Sequence, residues 1–214
     1  IKGGKDASFT DKEGIAGLLR VDGVIKGRSI HRFDLNQMEA AIRKNPWIKD
    51  AELFFDNKQV LRVRLEERVP AARLFSRNGQ SFYIDSSGIR LPLSVKRSAS
   101  VPVFTGFPST AQQLTLTDSL LLEEVKILSR FLLGDTFWKA QVAQVNITAD
   151  RTFEMVPVIG NHIIEFGNAH DCEKKFNRLL LFYQKILSKT GMDTYDRLKV
   201  QFAGQIVGVK KRTT

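Results

Sequence analysis

Cysteine is almost absent from this chain: among 214 residues only Cys172 carries a thiol. A lone thiol excludes an intrachain disulfide. It also excludes a cysteine-based zinc site, which needs several thiolates or a Cys/His set. Cys172 reads as a small packed residue or a helix-start residue. So little cysteine suits a reducing cytoplasm and a bacterial periplasm equally. Long hydrophobic runs are missing as well, and no stretch approaches the roughly 20 apolar residues that span a bilayer. The chain begins at Ile1 rather than Met. It reads as an excised soluble piece, which leaves room for a signal or membrane anchor upstream. Catalytic constellations are lacking too. The three histidines, His31, His162 and His170, share no helical metal-ligand spacing, and there is no His-Glu-x-x-His. Each reads as a surface histidine or one satisfied by its neighbours. Neither a Gly-x-Ser-x-Gly elbow nor a Gly-rich phosphate loop occurs. Asp85-Ser86-Ser87-Gly88 has the composition of a nucleophile loop, but a turn between strands explains it with less machinery. Glu66 and Glu67 adjoin, yet neighbours along a strand face opposite ways. No enzyme, cofactor or metal is expected.

What is present supports a folded core and a basic surface. Hydrophobic residues make up 43% of the chain, enough to bury a core. Lys and Arg number 33 against 23 Asp and Glu, a net charge of +10. That surface favours anionic partners: nucleic acid, acidic headgroups or an acidic protein face. The basic residues are spread along the chain, with small clusters at Arg62–Arg68 and Lys210–Arg212.

Residues 1–9 read as a lead-in segment or a frayed first strand. Thr10-Asp11-Lys12-Glu13 is a capping box, followed by an Ile15, Leu18, Leu19 stripe and a loop at Asp22-Gly23 and Gly27. Asp34 and Gln37 start a second helix with Leu35, Met38, Ala41 and Ile42 on one face, and Asn45-Pro46 stops it. Ala51–Phe55 and Gln59–Glu66 read as strands around an Asp56-Asn57-Lys58 turn. In the second, Arg62, Arg64 and Glu66 alternate with Leu61, Val63 and Leu65.

Past Pro70 the texture changes to short strands at Arg73–Ser76, Ser81–Asp85, Ile89–Leu91 and Val101–Phe104. Asp118 is expected to cap a helix to about Leu133, with Gly134 just past its end. Strands at Gln141–Ile147, Thr152–Val158 and His162–Phe166 follow. Asp171 is then expected to cap a long helix to about Ser188, with a stripe of Phe176, Leu179, Leu180, Tyr183, Ile186 and Leu187. A hairpin closes the chain, with Leu198, Val200 and Phe202 in one strand, a turn at Ala203-Gly204, and Gln205–Val209 in the last. The fold class is α+β. Residues 1–70 form a domain of helices on a small sheet, and 71–214 a β-rich domain with flanking helices that ends in the hairpin.

The run DLNQMEAAIRKNPWIKDAELFFDNKQVLRVRLEERVPAA, from Asp34 to Ala72, resembles the POTRA domain of the FtsQ/DivIB family. The matching residues are Pro46, Trp47, Ile48, Ala51, Leu61, Val63, Glu67, Arg68, Pro70 and Ala72. Gly79 to Asp85 with Gly88 is similar to the segment that opens the family's second, β-rich domain. Val101-Pro102 with Thr105-Gly106 resembles its Pro-x-x-x-Gly element. Ile164–Gly167 with the Lys-rich helix after it, and the closing hairpin, are similar to the family's last elements. Tyr83-Ile84-Asp85, Gly88 and Leu91-Pro92-Leu93 are most like forms from the Bacteroidetes. Two features depart from the pattern. Asp56-Asn57-Lys58 replaces a Trp-Pro turn, and an aromatic residue of the last strand is absent, with Val209 nearby.

The resemblance implies a non-enzymatic divisome scaffold, a single-pass inner-membrane protein with its bulk in the periplasm. FtsB/DivIC-like and FtsL-like division proteins would be its partners. It also implies partner contacts at Phe202, Gly204, Gln205, Ile206, Val207, Gly208, Val209, Lys210 and Lys211. Physically, an open terminal strand accepts a strand from another chain through main-chain bonds, and Lys210, Lys211 and Arg212 would steer acidic segments toward it. A proline at Val207 is expected to remove a main-chain donor and to hurt partner binding more than folding. The Arg62, Arg64, Glu66 face is either a docking surface or merely solvated. Three other readings remain on the sequence alone: a POTRA module of an outer-membrane assembly or secretion protein, a basic nucleic-acid-binding protein, and a periplasmic enzyme.

Overall fold

The computed structural model describes residues 9–10, 14–15, 17, 34–95, 97–111 and 113–211. The lead-in before Phe9, the Thr10–Glu13 capping box, Leu18 and Leu19 of the first stripe, the loop at Asp22-Gly23 and Gly27, His31 and Arg212 lie partly or wholly outside them. By its contacts the chain divides into two units. One comprises Ile1–Val69 and Leu91–Ser98, the other Pro70–Arg90 and Ala99–Thr214.

In the first unit, helix α1 (Leu35–Arg43) starts where expected, with the Asp34 carboxylate accepting from the Gln37 amide. Strands β1 (Ile48–Phe55) and β2 (Leu61–Glu67) form an antiparallel pair. Their turn is organised by Asp56, whose carboxylate accepts from the amides of Lys58 and Val60 and from Arg62. Alternation in the strands and helical spacing in α1 turn Met38, Ile42, Ile48, Ala51, Leu53 and Leu65 into one core, which Ile15 joins. Trp47 is buried, with the Phe9 ring stacked on it at a centroid distance of 4.1 Å. Glu67 accepts from the Phe9 and Thr10 amides.

The second unit is built on a mixed nine-stranded sheet of order β11-β10-β9-β8-β7-β6-β3-β4-β5. Its strands are β3 (Pro70–Ser76), β4 (Ser81–Asp85), β5 (Arg90–Leu91), β6 (Val103–Phe107), β7 (Val142–Ile147), β8 (Phe153–Pro157), β9 (Ile163–Gly167), β10 (Tyr195–Lys199) and β11 (Val207–Lys210). Three neighbouring pairs are parallel: β3 with β6, β6 with β7, and β9 with β10. Parallel neighbours need long crossovers. Helices α2 (Leu116–Gly134) and α3 (Thr136–Gln141) link β6 to β7, and α4 (Cys172–Phe182) leads from β9 toward β10. The fold is therefore α+β. The β3–β6 pairing shifts register before Phe107. Gly106 sits there at φ +80, where a Cβ would strike the Ile147 carbonyl, so the bulge requires glycine.

The core lies between the sheet and its helices. Phe176 of α4 is fully buried, stacked on Phe131 at 4.3 Å and tilted against Phe166 at 4.8 Å and Trp138 at 5.0 Å. Residues Phe153, Met155 and Pro157 of β8 face this layer in strict alternation. Each fully buried Leu, Ile or Phe here contributes about 1.5–3 kcal/mol by leaving water.

Several local expectations need correction. Thr115, not Asp118, caps α2: its hydroxyl accepts from the Asp118 amide. Asp118 is instead buried and ion-paired to Arg151 at 2.8 Å. Gly134 is the last helical residue and Asp135 ends the helix, then caps α3, an element absent from the sequence reading. Asp171 occupies the N-cap position of α4 with left-handed backbone and makes no side-chain cap bond, its carboxylate pairing with Lys174. Helix α4 passes into a π-helical turn, Tyr183–Leu187, before ending at Ser188–Thr190. The wider turn carries Ile186 out to solvent and leaves Tyr183 and Leu187 in the buried line.

At that π turn the buried Tyr183 hydroxyl lies 2.7 Å from His162 Nε2, and His162 Nδ1 lies 3.3 Å from the Met192 carbonyl. A carbonyl only accepts, so Nδ1 carries the proton and Nε2 accepts from the tyrosine. Burial holds the His162 pKa below its ordinary value, against the Met192 bond and Asp193, with Lys211 adding to the depression.

Phe176→Ala is expected to cost about 3–5 kcal/mol in denaturant unfolding and Ile186→Ala under about 1 kcal/mol, whereas an unbroken α-helix would make both costly. Because folded His162 takes up a proton less readily than the unfolded chain, its contribution is complete above about pH 6.5 and is lost as pH falls below it. Denaturation midpoints should therefore fall between about pH 7 and 5.5, and His162→Gln should flatten that slope. An unchanged slope would refute this assignment.

Candidate functional site

The residues singled out at the C-terminal end occupy one edge of the large sheet. Phe202, Gly204, Gln205 and Ile206 lie in the connection between β10 and β11, and Val207, Gly208, Val209 and Lys210 are β11 itself. The last strand thus begins two residues later than Gln205. Lys211 follows, its amide donating to the Thr194 carbonyl at 3.2 Å. Strand β11 pairs with β10 on one side, and among the described residues no strand of this chain stands on the other.

The direction of each main-chain group along that edge follows from its neighbours. The Val200 amide donates to the Glu165 carbonyl, so Val200 and Leu198 turn their main-chain groups toward β9. Arg197 and Lys199, between them in phase, face β11 and stand opposite Val209 and Val207. Lys211 bonds inward with the same parity. Gly208 and Lys210 fall between these positions, so their N–H and C=O groups point away from β10. Each offers one donor and one acceptor to the open side. Strand addition requires such a rim.

The side chains around the rim are partly apolar and partly basic. Val207 and Val209 are 40% and 39% exposed, and Phe202 is 42% exposed. Lys210 and Lys211 are exposed. Gly208 lies under the Tyr195 ring, which a Cβ would strike, so a side chain there would push the strand or the ring aside. Tyr195 in turn meets Phe182 of α4 edge to face at 5.5 Å.

Behind β11, electrostatics ties β10 to the sheet. Arg197 Nη1 reaches Glu165 at 2.6 Å and Glu154 at 2.9 Å, and Lys199 reaches Glu165 at 3.6 Å. The bond to Glu165, then that to Glu154, push the Arg197 pKa further up. This bridge crosses β8, β9 and β10 and supports a parallel pairing only three residue pairs long. Arg178 of α4 donates to the carbonyls of Val200 and Phe202 at 3.2 and 3.1 Å. Sequence reading missed Arg178, Tyr195 and Arg197, because each acts through a partner far away in the chain.

Other candidates assemble no chemistry. In the first unit, Arg62 pairs with Asp56 at 2.7 Å, Arg64 with Glu52 at 2.8 Å and Glu66 with Lys49 at 2.6 Å. That face is internally neutralised, which favours the solvated reading over a charged docking surface. Asp85 is buried in its turn, its carboxylate accepting from the Ser87 and Ile89 amides. Cys172 is buried at the first position of α4, and burial pushes its thiol up to about 12, so it is no thiolate nucleophile. The Lys175 ammonium is buried beside it, donating to Asn168 at 2.8 and 3.1 Å, and burial lowers its pKa. His170 is exposed and adjoins Asp171, whereas His162 is buried and satisfied by Tyr183 and Met192. Among the described residues no group of His, Cys, Asp and Glu is arranged to hold a metal, and no helix is long and apolar enough to cross a membrane.

Comparison with known proteins agrees with this architecture. Residues 69–209 match the family model described as FtsQ/DivIB, C-terminal related, and residues 1–66 match a POTRA-like domain. The chain is similar to the cell division protein FtsQ of Geobacter sp. strain M21, 23% identical over 91% of this chain and 70% of that protein. It is similar to that of Salinibacter ruber, 25% identical over 78% of this chain and 66% of the relative. The FtsQ of Rhodothermus marinus is 23% identical over 89% of this chain and 70% of its own length. The chain spans about two thirds of the length of these relatives. With a POTRA-like domain ahead of the matched C-terminal region, it belongs to the FtsQ/DivIB family of cell-division proteins.

Proposed function

We propose that this chain is the periplasmic, non-enzymatic scaffold of a single-pass inner-membrane division protein, and that it holds partners by adding their strands to β11. The observation that carries this reading is the outward direction of the Gly208 and Lys210 main-chain groups at an edge where, among the described residues, no strand of the chain pairs. Main-chain bonds along such a rim supply affinity, while side chains on the two faces of the incoming strand supply selection. The partners proposed are FtsB/DivIC-like and FtsL-like division proteins. The domain order that goes with this reading is a POTRA-like unit at 1–70 followed by a β domain at 71–214, whose last described strand is β11.

The rim's chemistry selects acidic, extended segments. Lys210 and Lys211 are exposed beside it, and the chain as a whole carries +10. Charge of this kind accelerates encounter more than it tightens the final complex. The exposed valines at 207 and 209 favour a β-branched or aromatic strand over a flexible polar one.

Parity along β11 decides which substitution tests strand addition. Proline at Val207 removes an amide turned toward Lys199 and so opens the chain's own hairpin. Proline at Lys210 removes an amide that faces outward, which an edge strand tolerates. Titrated with the extracytoplasmic segment of the FtsB/DivIC-like protein of the same genome, Lys210→Pro should lose at least about tenfold in affinity with little change in unfolding midpoint. Val207→Pro should lower the midpoint as well. Wild-type affinity in a folded Lys210→Pro would refute strand addition. Reversing both lysines, Lys210→Glu with Lys211→Glu, should slow association several-fold in low salt, with the difference closing at about 0.5 M salt, where the Debye length is only a few ångströms. A salt-independent difference would show that these lysines act by contact rather than steering.

A further inference from the structure

Resting on the reading of β11 as the docking edge, we infer that Arg178 is a positioning residue for strand capture, holding the lead-in to β11 in the conformation that a partner strand meets. Strand β9 ends at Gly167, whereas the chain leaving β10 runs on through Val200 toward Phe202. Val200 still finds an acceptor for its amide on Glu165 of β9. The ladder between β9 and β10 stops at Glu165 and Lys199, and the carbonyls of Val200 and Phe202, two residues apart, lie beyond it. Arg178 supplies the missing donor from the helical layer, Nη2 lying 3.2 Å from one oxygen and 3.1 Å from the other. The arginine reaches them with its own Nε buried and without an acceptor among the described residues. The side chain is thus set by the two loop carbonyls and not by its own best solvation.

The stretch it holds has little else to hold it. Phe202, Ala203, Gly204 and Gln205 are all exposed, and Ile206 packs against the core only in part. Strand β11 is four residues long, and its pairing with β10 breaks register near Tyr195. A hairpin this short frays unless its connection is fixed, and a frayed edge must be ordered at the moment of binding. Fixing Val200 and Phe202 from α4 transfers the rigidity of the helical layer to the rim. Both bonds come from one nitrogen, Nη2, so a lysine ammonium replaces arginine in part, on a more strongly hydrated and less pre-organised head group.

The test compares Arg178→Met, Arg178→Lys and Lys210→Pro, titrated with the FtsB/DivIC-like segment named above, together with amide exchange of the free and bound chains. In Arg178→Met the expected results are an affinity lower by about tenfold and faster exchange at Gly204–Ile206 in the free chain. Exchange across α2, β7 and β8 should be unchanged, and protection at Gly204–Ile206 should return when the segment is bound. Arg178→Lys should fall between wild type and Arg178→Met. A purely structural role would speed exchange throughout the sheet and would not be reversed by the segment, which would overturn the inference. Wild-type affinity in Arg178→Met, with Lys210→Pro impaired, would overturn the inference while leaving strand addition standing. Wild-type affinity in Lys210→Pro would remove strand addition and, with it, this role for Arg178.

Discussion

An open β-sheet cannot partner the backbone of its outermost strands, and the second unit of this protein is arranged around that constraint. Among the described residues, seven of its nine strands have neighbours on both sides and two do not. At one margin the exposure is small, because β5 is only two residues long. At the other, β11 presents outward main-chain groups at Gly208 and Lys210, flanked by exposed valines and lysines. Proteins ordinarily blunt such edges with short strands, charges or bulges. Lysines and a bulge are both present here, and they limit indiscriminate pairing without covering the rim.

The rest of the unit serves to make that margin firm. Strand β10 is the template for β11, and it joins the sheet by a short parallel ladder. Parallel pairing is slightly weaker per residue than antiparallel. The ladder is reinforced on one face by the Arg197 bridge to Glu154 and Glu165. On the other, Leu198 and Val200 sit fully buried in the core that Phe176 and Leu179 of α4 complete. Tyr195, wedged between Gly208 and Phe182, connects the same helix to the edge. The internally paired face of the POTRA-like unit makes a contrast. Its charges are satisfied by one another across β1 and β2, so it offers a partner little net field.

Local chemistry made much of this legible from sequence. Period-two alternation placed β2, the Asp56-Asn57-Lys58 turn placed β1 beside it, the Asp34–Gln37 spacing placed the start of α1, and Gly88 and Gly204 marked turns. The Glu-Arg-x-Pro-x-Ala run at Glu67–Ala72, in order with the motifs after it, pointed to the family. What stayed hidden depended on non-local or competing effects. Asp118 has every local property of a cap, but its burial against Arg151 uses the carboxylate otherwise, and Thr115 caps instead. The α3 turn carries Trp138 into the core with too few residues to show a period. The π turn at Tyr183 displaces Ile186 from a stripe that looked continuous. At the candidate site the strand was legible, because alternation and a turn signal sufficed. Which amides face outward was not, since that phase is set by Glu165 and Thr194 on other parts of the chain.

The central claim is that Gly208 and Lys210 present free main-chain groups that a partner strand takes up. Residue-resolved amide exchange of β11, with and without the partner segment, addresses it directly. In the free chain the Gly208 and Lys210 amides should exchange faster than those of Val207 and Val209, and on binding they should become protected to a similar degree. Equal protection of all four in the free chain, or no gain at Gly208 and Lys210 in the complex, would contradict the account.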